Sequence, residues 1–191
     1  MDKRIEKNLN DLLRPGERVL WHGKTKPFGI LAGREGKLTR LQWILSTVCI
    51  AAIIGLVLAF GNATASVIGL LLLLLAILIA APLLSHRSIL TQEYFITNER
   101  VLLVKPNVGA NAIERADVDD CRVMPVDPQG EALVIGSSLF PEGSKQLRWR
   151  SLHPKLGRYA RSYDGLTVAE GLVFYNVDHA DEALALLQKP A

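Results

Sequence analysis

From Leu41 to Ser85 the chain carries no Asp, Glu, Lys or Arg, although 21% of all its residues are charged. A helix on the surface of a soluble protein needs a polar face, so this uncharged stretch restricts the fold more than any other feature. The run Gly61-Asn62-Ala63-Thr64-Ala65-Ser66 divides it into Leu41–Phe60 and Val67–Leu84. These run for about 20 and about 18 residues, the length at which a helix crosses a hydrocarbon core roughly 30 Å thick. Two transmembrane helices joined by an external loop at 61–66 are the expectation. A buried hairpin in a soluble protein is the competing arrangement, but covering Leu70–Leu75 on every side would take more protein than the polar remainder supplies.

Lys24, Lys26, Arg34, Lys37 and Arg40 precede the first apolar stretch and Arg87 follows the second, whereas the loop between them is uncharged. The positive-inside rule then predicts a multi-pass protein of the cell inner membrane with both termini cytoplasmic. Met1–Arg40 is too long and too charged for a cleavable signal peptide, so the first span is expected to remain as an anchor. Trp43 and Phe60, near its two ends, read as interface anchors. Thr47, Ala51, Gly55 and Ala59 recur every fourth residue and form a face of little bulk that another helix can approach closely. The expected partner is the second span, through Ala76 and Ala80; another protomer or membrane protein is the alternative.

Outside the spans, Ile5, Leu9, Leu12 and Leu13 have helical spacing and stop at Pro15-Gly16, which predicts an amphipathic helix within 1–16. Residues 17–40 read as a first strand, Glu17–Trp21, followed by a connector. Beyond the spans, Tyr94–Thr97 and Arg100–Val104 flank Asn98-Glu99 as a hairpin. Further short runs lie at Asn111–Arg115, Asp119–Val126, Glu131–Gly136, Gln146–Arg150 and Leu172–Asn176, separated by Pro and Gly turn signals. A closing helix is expected after Asp178, a candidate N-cap, with Ala180, Ala183, Leu184 and Leu187 on one stripe. The fold class is α+β: a two-helix transmembrane hairpin and an antiparallel barrel of about seven strands, built from the first strand and residues 88–191 and capped by the C-terminal helix.

Two segments carry a resemblance. Leu13-Arg14-Pro15-Gly16-Glu17 with its following strand stands before the two spans, and Tyr94-Phe95-Ile96-Thr97-Asn98-Glu99-Arg100 stands directly after them. In this order they are similar to the opening motif and the "Y-x-[IL]-T-x-x-R" hairpin of bacterial pleckstrin-homology-like (PH-like) domains in small membrane proteins. The resemblance covers roughly residues 12–27 and 88–140, and implies a bent barrel capped by a helix. The basic, turn-rich segment 144–165 departs from the pattern.

For chemistry, neither a nucleophile with a base nor a set of ligands at metal-binding spacing is apparent. His22, His86, His153 and His179 are scattered, Cys49 and Cys121 fall in different compartments, and no phosphate-binding Gly loop occurs. The triplet Asn62-Ala63-Thr64 matches a glycosylation sequon, read here as coincidence beside the membrane. Glu114, Asp117, Asp119 and Asp120 lack the spacing of a calcium loop and read as a solvated acidic face. The apolar spans hold no ionisable group of the kind an ion path requires.

The strongest charged feature is Lys145, Arg148, Arg150, Lys155, Arg158 and Arg161, with Trp149, Tyr159 and Tyr163 interleaved and no acid from Ser144 to Tyr163. It reads either as a patch for anionic headgroups or an acidic protein surface, or as a solvated strand edge with Leu147 and Trp149 turned inward. A net charge of +3 and the lack of an RNA-binding motif do not point to nucleic acid. The expectation is a non-catalytic, membrane-anchored interaction module without a cofactor, whose partners are membrane lipids and a protein or a second copy. A structural or assembly subunit of a larger membrane complex is the alternative. A membrane enzyme with its site at the barrel–bilayer junction, using two of His22, His86 and His153, is a further one.

Overall fold

The computed structural model describes residues 12–61, 64–106, 109–127, 130–142, 147–156, 162–163 and 166–188. The chain divides into two compact units: residues 28–87, and a second unit that combines the residues up to Pro27 with those from Ser88 onward. The expected N-terminal helix lies outside the described residues apart from its end at Leu12–Gly16.

The first unit is a helical hairpin. Its arms are α1, Gly33–Ala59, and α2, Ala65–Leu90, whose last residues belong to the second unit. Both are long and apolar enough to cross a membrane, and only 6% of the most apolar window of each is buried. Neither is therefore covered on all sides by the described residues of this chain, as a core helix would be. The helices outrun the uncharged stretches at which they were expected. Arg34, Glu35, Lys37 and Arg40 form the first turns of α1, and His86 and Arg87 lie in the last turns of α2. Gly36 is required at the start of α1, since a Cβ there would stand 2.1 Å from the Leu31 carbonyl carbon. Hydroxyls within the helices satisfy themselves internally: Thr47 donates to the Trp43 carbonyl and Ser85 to the Ala81 carbonyl.

Side chains of mixed size mark the shielded stripe of each arm. In α1 it runs through Thr39, Trp43, Ser46, Ile50, Ile54 and Val57, and in α2 through Ile68, Leu71, Leu75, Leu78, Ile79, Ala80 and Pro82. Ile50 is buried in mid-helix within this unit.

The second unit is a curled sheet, a half-barrel closed at one end by a helix. Its strands are β1 (Val19–Lys24), β2 (Glu93–Thr97), β3 (Arg100–Lys105), β4 (Gly109–Glu114), β5 (Cys121–Pro125), β6 (Glu131–Ile135), β7 (Lys155–Leu156), β8 (Ser162–Tyr163) and β9 (Leu166–Val177). They run in the order β1-β2-β3-β4-β9-β6-β5, with β7 and β8 pairing on β9. The long β9 joins two antiparallel sets: its start pairs with β4 and its end with β6.

The β4–β9 ladder is parallel, which corrects the wholly antiparallel barrel expected. Its strands are far apart in sequence, and no turn signal specifies the direction in which such strands pair. The strand expected at Gln146–Arg150 is also corrected. Its described part is a turn leading into a short 3-10 helix, Trp149–Ser151, because burying the Trp149 indole turns the backbone out of an extended line.

Alternation sorts the apolar residues of β2, β3 and β4 to two faces. The concave face gathers Tyr94, Ile96, Val101, Leu103, Ile113, Leu133 and Phe174. Helix α3, Ala180–Gln188, closes this core with Ala180 and Ala183. Phe174 is sandwiched, its ring centroid 4.6 Å from Tyr94 and 5.9 Å from Trp21. Gly23 makes room for that arrangement, because a Cβ there would collide with the Trp21 ring. The convex face gathers Phe95, Leu102, Val104, Ala110, Ala112 and Leu166, with Leu12 and Leu13 packed on it. Asp178 serves differently from the cap expected: it pairs with Lys26 at 2.5 Å, and His179, in the left-handed region at φ 56°, precedes the helix.

Candidate functional site

The two segments that carry the resemblance meet in the structure. Glu17 and Arg100 form an ion pair with side chains 0% and 4% exposed. Glu17 Oε1 accepts from Arg100 Nε at 3.1 Å and from Thr97 Oγ1 at 2.7 Å, and its Oε2 accepts from Arg100 and from the Arg14 amide at 2.8 Å. Thr97 Oγ1 in turn accepts from the Arg100 amide at 2.8 Å, and Arg100 also donates to the Leu12 carbonyl at 2.9 Å. Burial pushes the Glu17 carboxyl up, but the hydrogen bonds from Arg100, the Arg14 amide and Thr97, together with the Arg100 charge, outweigh it and hold the group below its ordinary value. With every Glu17 oxygen engaged, this is a clasp that fixes the entering strand to the β2–β3 turn. Removing one partner of such a pair costs about 3–5 kcal/mol.

A second buried carboxylate lies at the other end of the same ladder. Glu93 is flanked by Lys24 at 2.5 Å and by His22 Nε2 at 2.9 Å, and the His22 ring stacks on Phe95. The β1–β2 pairing, which sets Lys24 opposite Glu93, brings these groups together.

The structure resolves the basic segment in part. Lys145, Arg158 and Arg161 lie outside the described residues. Arg148 and Arg150 are half-buried on either side of the buried Trp149, and both have partners. Lys155 donates to the Ser138 carbonyl at 2.7 Å. The described part of the segment is thus tied to the sheet, with Trp149 turned inward and Leu147 half-buried.

Beside it lies a shallow surface depression, without room for a water-sized group, lined by Gln92, Leu103, Lys105, Leu152, His153, Pro154 and Val173. Burial lowers the pKa of the Lys105 ammonium. The sequence reading passed over Lys105, which stands as one lysine at the end of an apolar strand; its only signal was a charge directly after Val101–Val104 and before Pro106.

The other singled-out residues are dispersed. His86 meets the Phe28 carbonyl at 2.9 Å and its ring edge, His153 lines the depression, and His179 pairs with Glu182 at 3.3 Å. Among the described residues no group of three or more His, Cys, Asp or Glu is placed to hold a metal ion. In the acidic run, Glu114 pairs with Arg14, Asp120 with Arg122, and Asp119 accepts from the Ser137 amide and hydroxyl, which lower its pKa. Thr47, Ala51, Gly55 and Ala59 are all exposed along α1. Phe60, at 75% exposed, terminates α1.

No family model, curated protein or solved structure matches the chain. The curled sheet with its closing helix is compatible with a PH-like fold.

Proposed function

We propose that the protein is a non-catalytic, membrane-anchored interaction module, PH-like in its sheet unit, that binds a protein or anionic lipid partner at the cytoplasmic membrane surface. The observation that carries this reading is the outward display of Leu41, Ile44, Leu45, Val48, Leu70, Leu73 and Ile77 along helices of spanning length. A hydrocarbon surround would remove that apolar surface from water. The basic residues flanking the hairpin favour a cytoplasmic sheet unit. The buried charges of that unit serve its architecture, as the Glu17 clasp does, which favours recognition over catalysis.

The test is purification of the tagged full-length protein from carbonate-washed membranes into native nanodiscs, with mass spectrometry of the accompanying proteins and lipids. The comparison is a variant with Arg148, Arg150, Arg158 and Arg161 changed to Ala. A partner or anionic lipid lost in the variant supports the reading. Release of the protein by carbonate overturns the anchor. A protein partner retained by the variant transfers support to an assembly subunit of a larger membrane complex.

A further inference from the structure

We propose that Lys37 and Arg40, on the outward flank of the first turns of α1, hold the phosphate of an anionic phospholipid whose acyl chains follow the apolar side chains beyond them. The inference rests on the membrane anchor of the reading above and deepens it by placing lipid recognition on the hairpin, apart from the 145–161 segment.

Helical spacing sets this flank. Lys37, Arg40, Leu41, Ile44 and Val48 recur three or four residues apart, so they lie one above another on one side of α1. Both cations are exposed, and so are Leu41 at 61%, Ile44 at 57% and Val48 at 60%. Half a turn round the helix stand Glu35, Thr39 and Ile50, all buried. Glu35 is the only acid in α1, and it belongs to that buried side. Lys37 and Arg40 therefore have no carboxylate on their own flank, and among the described residues neither has a hydrogen bond or an ion pair.

Depth assigns the two halves of the flank to different parts of a lipid. Arg40 stands about 30 Å along α1 from Phe60, the thickness of a hydrocarbon core, and Lys37 lies nearly one turn further out. With Phe60 at one face of a bilayer, the two cations come level with the phosphates of the other face, while Leu41, Ile44 and Val48 run down beside the chains. Their long stems let the charged heads reach that level from the helix. The guanidinium offers a phosphate paired N–H donors and the ammonium adds a compact charge. An anionic headgroup fits better than a zwitterionic one, which would bring a further cation beside two that no acid offsets.

The experiment uses full-length protein in phosphatidylcholine nanodiscs, doped in turn with chain-spin-labelled phosphatidylglycerol and phosphatidylcholine. Electron paramagnetic resonance gives the share of each probe held motionally restricted against the protein. Phosphatidylglycerol should be favoured about fivefold over phosphatidylcholine. The double variant Lys37→Gln, Arg40→Gln should lose that preference, and the exchange Lys37→Arg, Arg40→Lys should keep it. Both leaflets of a disc have the same composition, so a neutral variant that inserts the other way round meets the same lipids. If the double variant does not enter discs, the single variants Lys37→Gln and Arg40→Gln carry the test, each lowering the preference about twofold.

Equal restriction of the two probes by the parent protein, or a preference undiminished in the neutral variants, overturns the site and leaves the anchor standing. Restriction of neither probe overturns the anchor, and the site with it.

Discussion

The two units of this chain solve opposite problems. In the hairpin, large apolar side chains such as Leu70 and Phe60 face outward, and the helices place their charges at the ends. In the sheet unit, Glu17, Glu93 and Arg100 are buried beside Tyr94, Phe95 and Phe174. The difference teaches that burial follows the available partner: a leucine can face out where the surroundings are hydrocarbon, and a carboxylate can face in where an arginine, an amide and a hydroxyl meet it.

The largest expected effect breaks the inward half of that comparison. Glu17→Ala leaves Arg100 buried without its carboxylate and should destabilise the sheet unit by about 3–5 kcal/mol, read as a lower urea midpoint of Trp21 and Trp149 fluorescence. A Glu17→Leu, Arg100→Met double variant should recover most of the loss, since two apolar groups need no pairing. If the double variant is as unstable as the single one, the clasp is not an ion pair in energetic terms.

The outward half is tested by Leu73→Arg, which sets a charge in the middle of α2. Insertion should become less favourable by about 2.5–3.5 kcal/mol, measured as the fraction of protein resisting carbonate extraction. An unchanged fraction would mean that Leu73 does not meet hydrocarbon, and the contrast between the units would collapse.

Acid sharpens the comparison with a smaller, graded effect. Glu17 and Asp119 both have depressed pKa values when folded, so their contributions are complete above the ordinary carboxylate values of 4.5 and 3.8 and are lost as pH falls through the folded values. Sheet-unit stability should therefore decline below about pH 4.5, and Glu17→Gln should flatten the decline. The helical signal of the hairpin, which has no Asp, Glu, Lys, Arg or His from Leu41 to Ser85, should be insensitive over the same range in circular dichroism.

Much of the local structure was legible because it rests on short-range patterns. The Thr97-Asn98-Glu99-Arg100 turn follows from two β-prone runs two residues apart, and in the structure Asn98 Oδ1 also accepts from the Arg18 amide. The two motifs were legible as words but not as a contact, since Glu17 and Arg100 are 83 residues apart. The candidate site was less legible still. A run of arginines stood out by composition, yet Arg148 and Arg150 are engaged, and the buried charges of the sheet unit, Glu17, Glu93 and Arg100, are spread through segments that no composition count joins.

Sequence alone therefore determined the positions of the apolar helices, the hairpins and the alternation of faces, because these depend on neighbours within a few residues. Tertiary structure decided the parallel β4–β9 ladder, which side chains of the helices are shielded, and the pairing of buried charges such as Glu17 and Arg100. Those outcomes depend on which distant side chains share a dry interior, where an unmet charge costs more than any local preference can return.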